Sequence, residues 1–416
     1  MTMQFNSNKH IVPKGISVLL VLFFMCSGFS QFQIFGVKPS DIIILALFLI
    51  LLINGKLRIP LLCFIFIVGF FYAWLIGGLS DIKSLVTSII VFVIMFSLVD
   101  LLQKIKNKKI DVYLGYFNYS MFASNLLALL FLLFFPQYKE VVSDISSGGI
   151  RFKGFFSQAN GYAFVLLLSF PISVYFLNIR KSIFHFVNVC VFLIAILLTQ
   201  SRGVLFSLVL GFCFVYLIHL VKSKKIKKYL FPGLVFTLLT VLLFAFLPEF
   251  IQRNFGINLA RLNIDKVSKH ERNLNNVSLD ELQGDRLYLI ESALNTLAEY
   301  PFGLGFQPHH LKIGEVTGIY LVPHNYFLSI FLFYGLIFGL FWIAVIYVLL
   351  KNGLLKIYKL ETTPKDLLFY LTIMMVSLSL FYLTHSSDWS YMYILIAFYI
   401  ALLNKKSITN ENINNR

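Results

Sequence analysis

Arginine, histidine and asparagine recur at the starts of long apolar runs in this chain. Arg202 opens one run in TQSRG (199–203), and His324 with Asn325 opens another in PHNYF (323–327). Arg151 and Lys153 precede a third run, which has Asn160 near its start. Arg286 begins an amphipathic stripe, and His385 and Asp388 flank the turn before the last run. An arginine fork binds phosphate oxygens bidentately and stays charged. An imidazole titrates in the range that a general base needs. Brought together, these cations would hold a phosphate or a diphosphate.

The elements that must position them follow from composition. The 416 residues are 58% hydrophobic and only 13% charged, with 46 Phe and a mean hydropathy of +0.82. Soluble domains carry about 25% charged residues, so half the usual charge is left to solvate a surface. That excludes an ordinary soluble enzyme, a disordered chain and a secreted disulfide scaffold. The expected class is an all-α polytopic membrane protein. Twelve spans are expected, near 16–34, 40–54, 60–78, 82–102, 113–135, 157–178, 182–199, 203–221, 229–247, 324–350, 366–384 and 388–404. The runs are continuously apolar, whereas membrane strands would alternate. The Lys9 and Lys14 flank of the first run resembles a signal peptide, but no small-x-small cleavage site follows, so it reads as the first helix.

The net charge of +16 does not indicate nucleic acid, because the basic residues are distributed by loop. With the N-terminus in the cytoplasm, 22 of the 35 Lys and Arg fall inside, including KIKNKK (104–109) and KSKKIKK (222–228). Of the 19 acidic residues, 14 fall outside. Both termini are therefore expected in the cytoplasm. The whole chain, 1–416, reads as a single integral membrane domain with one large periplasmic loop, 248–323, between the ninth and tenth helices. Within that loop Leu287, Ile290, Leu294 and Leu297 form a helical stripe, which Pro301 ends before Gly303 and Gly305. The expectation is an amphipathic helix on the outer surface of the bundle.

The middle of every expected span lacks Asp, Glu, Lys and Arg. A central charge costs at least ~2.5–3.5 kcal/mol, which ion-coupled transporters tolerate because their mechanism needs it. In this topology the even-numbered helices all begin at the outer face. Their N-termini carry free N–H groups and a partial positive charge that favour an anion. Arg151, Arg202 and His324 lie at such starts, and Arg286 completes a cationic ring. The expected ligand is a diphosphate whose lipid tail stays in the membrane. A single arginine at a helix end is also a snorkelling anchor; it is the joint placement that favours a site. His309 and His310 are adjacent and lack a third ligand, so no metal is expected. Asp388 could orient His385 or cap a helix. The four cysteines read as packing residues.

Four stretches then resemble the O-antigen ligase and O-antigen polymerase superfamily of bacterial membrane glycosyltransferases. They are GFFSQANGYA (154–163), TQSRGVLFSLVLGF (199–212), DRLYLIESALNTLAEYPFGLGF (285–306) and PHNYFLSIFLFYGLIFG (323–339). The resemblance implies a cofactor-free and metal-independent transfer of a glycan from an undecaprenyl-diphosphate carrier. The acceptor would be a sugar hydroxyl on another carrier-linked glycan or on the lipid A core. It implies catalytic roles for His324, Arg286 and Arg202. Arg151, Lys153, Asn160, Asn325 and His385 are the expected substrate-binding set. It places the chain in the bacterial inner membrane with the site facing the periplasm, and makes a chain-length regulator a candidate further partner. Gly339 falls one place later than in the ligase pattern, which favours repeat-unit polymerisation over ligation. A non-enzymatic lipid-glycan transporter or flippase is the rival of another class. It would need a hydrophilic midplane path or paired broken helices.

Overall fold

The computed structural model describes residues 14–29, 38–78, 82–135, 137, 139–146, 149–223, 286–318, 325–382 and 390–405. Helices α1 (Lys14–Met25), α2 (Pro39–Ile53), α3 (Leu61–Ile76), α4 (Ile82–Lys104) and α5 (Asn107–Phe134) come first. A one-turn α6 (Lys139–Val142) leads into a hairpin of β1 (Ser143–Ser146) and β2 (Gly149–Phe152). Then follow α7 (Ala159–Arg180), α8 (Ile183–Leu198) and α9 (Arg202–Lys222). The second half holds α10 (Arg286–Glu299), α11 (His309–Thr317), α12 (Tyr326–Tyr358), α13 (Leu367–Tyr382) and α14 (Ser390–Asn404).

The mostly helical, polytopic membrane class stands, and the expected count of twelve spans is met in part. Among the described residues, five helices are long and apolar enough to cross a membrane: α4, α5, α7, α9 and α12. Helices α1, α2, α3, α8, α13 and α14 coincide with expected spans, but none exceeds 16 residues. At 1.5 Å per residue, 16 residues cover ~24 Å, short of the roughly 30 Å hydrocarbon core. Continuous hydrophobicity marks where a helix forms, not how far it extends before a turn. The expected ninth span, 229–247, and the loop as far as residue 285 lie outside the described residues.

Packing rests on aromatic rings and on small residues that let helices approach. Phe66 of α3 lies 4.4 Å from the Trp342 ring of α12, and Phe24 of α1 contacts Phe117 of α5 and Phe398 of α14. Gly211 of α9 sits directly against Ser377 of α13, a close approach that only a small residue permits. Polar contacts tie the helix ends together. At one end the Arg58 amide donates to Ser97 Oγ at 2.9 Å, and Lys104 pairs with Asp100 at 2.7 Å. Lys405 Nζ donates to the Ile105 carbonyl (2.6 Å), and Asn178 donates to the Pro364 carbonyl (2.6 Å). These are the ends that the charge distribution assigns to one leaflet.

The segment after α10 does not rest on the bundle surface. It is inserted between α3 and α12. Helix α12 is broken at Gly335, whose φ of 72° and ψ of −178° are accessible almost only to glycine. The break would leave backbone groups unpaired in an apolar medium, at several kcal/mol each. The inserted segment pairs them. The Leu304 amide donates to the Leu332 carbonyl (2.6 Å), the Gly305 amide to Phe333 (3.1 Å), and the Leu336 amide to Pro301 (3.0 Å). On the other side Tyr72 Oη donates to the Phe302 carbonyl at 3.0 Å, and Gln307 Nε2 to the Ile76 carbonyl at 3.2 Å. A small apolar cluster of Ala293, Leu297, Leu304, Ile313 and Leu332 joins α10 and α11 to the outer part of α12.

The buried face of α10 also differs from the predicted stripe. Leu289, Ser292, Ala293, Thr296 and Leu297 are buried, while Leu294 is 49% exposed. Small polar residues serve on this face because Thr296 Oγ1 returns its hydrogen bond to the Ser292 carbonyl at 2.8 Å. A stripe read from large apolar side chains alone therefore points partly the wrong way.

Candidate functional site

The site is built around the β1–β2 hairpin and the beginnings of α7 and α9. The hairpin register sets Asp144 opposite Arg151. Asp144 uses its two oxygens differently. One accepts the Ala159 amide at 2.7 Å, at the first turn of α7, and the other pairs with Lys153 Nζ at 3.3 Å. A carboxylate is well placed against the free N–H groups of a helix start. Lys153, expected to bind substrate, is thus engaged by a partner within its own loop.

Arg151 reaches across from β2 to two other elements. Its Nη2 donates to Asn160 Oδ1 at 2.7 Å, and its Nε donates to the Thr199 carbonyl at 3.1 Å. Two of the expected binding residues, Arg151 and Asn160, are therefore in direct contact. Thr199 ends α8 and begins the tight turn to Arg202. Gln200 in that turn is buried at 3% exposure and holds φ at +54°, an uncommon conformation for a residue with a Cβ. The Ser201 amide donates to Thr199 Oγ1 at 3.2 Å. The turn delivers Arg202 to the first position of α9, with its side chain exposed.

The α12 start joins this end of the bundle through rings. Asn325 caps α12 by accepting the Leu328 amide at 3.1 Å. Tyr326 stacks on Tyr382, the last residue of α13, with ring centroids 3.8 Å apart. Tyr382 in turn stacks on Phe164 of α7, one turn below Asn160. Antiparallel packing of α9 on α13 sets Gly211 at Ser377 and Tyr216 at Tyr370, so Arg202 lies just beyond the level of Tyr382. The structure thus brings Arg151, Asn160, Arg202 and Asn325 to one end of the bundle. Arg286 begins α10, but its side chain lies outside what is described. His324 and His385 lie outside the described residues.

Sequence reasoning missed Asp144 and the Tyr162–Asn125 bond. Tyr162 Oη donates to Asn125 Oδ1 at 2.5 Å, with both side chains fully buried between α7 and α5. The available signal was a pair of asparagines, Asn118 and Asn125, in an otherwise apolar run. His309 turned out to be structural in its contacts: Nε2 lies 3.0 Å from the Gly305 carbonyl in the inserted segment. Burial holds its pKa below the ordinary 6.5, more than the Gly305 bond raises it. Among the described residues no group of three or more metal-ligating side chains occurs. A cleft of about 490 Å³ lined by Leu177, Asn178, Lys181 and Ser182 lies at the opposite end of α7, away from these contacts.

Fold and site together define a polytopic helical membrane protein with arginines and polar side chains gathered at one end of the bundle. Residues 187–344 match the family model for O-antigen ligase. The match supports the assignment of this chain to the O-antigen ligase and polymerase superfamily, and its span includes Arg202, Arg286, His324 and Asn325. No curated protein and no solved structure matches the chain.

Proposed function

We propose that this protein transfers a glycan from an undecaprenyl-diphosphate carrier to a sugar hydroxyl, on the periplasmic face of the bacterial inner membrane, and that the reaction is repeat-unit polymerisation. One observation carries the reading. The family match covers all three residues with assigned chemistry, and the structure gathers the surrounding helix starts at the end of the bundle where the sequence puts few loop lysines and arginines.

The bond to break joins the anomeric carbon to a diphosphate oxygen. Diphosphate leaves readily once its developing negative charge is neutralised. Arg202 and Arg286 supply that charge, and the N–H groups at the start of α9 add to it. Preorganised donors of this kind are each worth roughly 10²–10³ in rate. The acceptor hydroxyl is a weak nucleophile, and His324 removes its proton as the new bond forms, worth about 10²–10⁴. A single displacement inverts the anomeric centre. Arg151 supports the site indirectly, by fixing the turn that presents Arg202.

The family description itself favours a second reading, ligation of the finished glycan to the lipid A core. A deletion strain separates the two. Loss of a polymerase leaves core carrying one repeat unit, and loss of a ligase leaves bare core with carrier-linked polymer. A deletion with unchanged surface glycan, or purified protein that moves carrier-linked glycan across liposomes without extending it, would overturn both.

A further inference from the structure

We infer that Gly303 and Gly335 are positioning residues, whose backbone junction sets the angle between α10 and the outer part of α12; the inference rests on the roles just proposed for Arg286 and His324, which the sequence puts at the starts of these helices. Arg286 is the first residue of α10, and His324 immediately precedes Asn325, the cap of α12. These two helices meet at the inserted segment. A Cβ on Gly303 would lie 2.5 Å from the Gly335 nitrogen, and one on Gly335 would lie 2.5 Å from the Phe302 carbonyl oxygen. Both contacts are backbone, so no side chain can move aside to admit it. Both glycines also hold positive φ, 89° and 72°.

The arrangement is costly unless it serves the junction. An unbroken α12 would satisfy its own backbone groups. Here the break gives the Leu332 and Phe333 carbonyls and the Leu336 amide to the segment that follows α10. The segment is gripped from the far side by α3, through the Tyr72 hydroxyl and the Ile76 carbonyl, so it is held at a fixed depth in the bundle. Helix α10 then acts as a lever. Its 14 residues reach ~20 Å from the junction. A tilt of about 3° there would carry Arg286 roughly 1 Å, and a displacement of that size costs on the order of 10² in rate.

The test uses the full-length protein in proteoliposomes, supplied with undecaprenyl-diphosphate-linked glycan extracted from cells that lack the gene. Gly303→Ala and Gly335→Ala should lower kcat about 50–100-fold with KM within about twofold. Gly55→Ala should retain wild-type rates, because Gly55 shares the positive φ (+59°) but has nothing within 4 Å of its Cβ position. Spin labels at Leu294→Cys on α10 and Ile337→Cys on α12, both exposed positions, report the junction directly once the four native cysteines are replaced by serine. Their distance distribution should shift or broaden in both glycine variants. Unchanged kcat, or an unchanged label distance, would overturn the inference. If the unmodified protein transfers no glycan, the proposed function fails while the label distances still decide whether the junction sets the geometry.

Discussion

Arg151 and Asn160 are joined by a 2.7 Å hydrogen bond, and the same guanidinium holds the Thr199 carbonyl. One side chain thereby links the hairpin, the start of α7 and the end of α8. Its planar fork matters, because Nε and Nη2 meet the two acceptors from separate, fixed positions that one ammonium nitrogen does not reproduce. Arg151→Lys should destabilise the protein by about 2 kcal/mol, within the range for hydrogen bonds to charged groups. It should also slow glycan transfer, since the turn carrying Arg202 is released. Thermal melting in detergent measures the first effect. An unaltered melting temperature would remove Arg151 from the framework.

Tyr162 and Asn125 form a buried neutral pair between α7 and α5. Tyr162→Phe strands the Asn125 amide in an apolar setting and should cost about 1–3 kcal/mol. Replacing both, as Tyr162→Phe with Asn125→Leu, should cost much less than the separate effects added together. A double-mutant cycle by chemical or thermal unfolding checks this. Strict additivity would mean that the bond contributes nothing in the membrane.

The three residues assigned chemistry should fail in different ways. His324→Ala and Arg286→Ala should abolish long-chain polysaccharide in cells while the protein still inserts into the membrane. Arg202→Lys should fail too if phosphate is gripped bidentately. Gel profiles of surface polysaccharide, with membrane levels of each variant as control, decide it. Normal ladders from Arg202→Lys would reduce Arg202 to an interfacial anchor.

His309 is held neutral by burial, with its pKa below 6.5. A carbonyl only accepts, so Nε2 must carry the proton and donate to Gly305. The His309 contribution to docking should therefore be independent of pH well above about 6.5. Below that, a released His309 binds a proton that the docked one resists, so docking weakens as pH falls toward the lowered value. Hydrogen exchange at the Leu304 and Gly305 amides should speed up from pH 6.5 to 5 relative to its intrinsic rate. His309→Gln should flatten that dependence.

The chain of residue types alone determined the class of the protein, the placement of its apolar helices and the cations at their starts. Those features follow from local hydrophobicity and from where charge is tolerated, and both are written along the sequence. The same holds for the end of α10 at Pro301 and for the glycines after it. Tertiary structure decided the rest. It engaged Lys153 with Asp144, joined Arg151 to Asn160, and made Asn325 a cap. It buried Ser292 and Thr296 of α10 where large apolar side chains suggested another face. It also put the Gly-x-Gly segment inside a broken helix, because backbone groups freed at Gly335 must find partners where water cannot supply them. None of these partnerships follows from helical or strand spacing, so they leave no periodic trace and only the packed structure could name them.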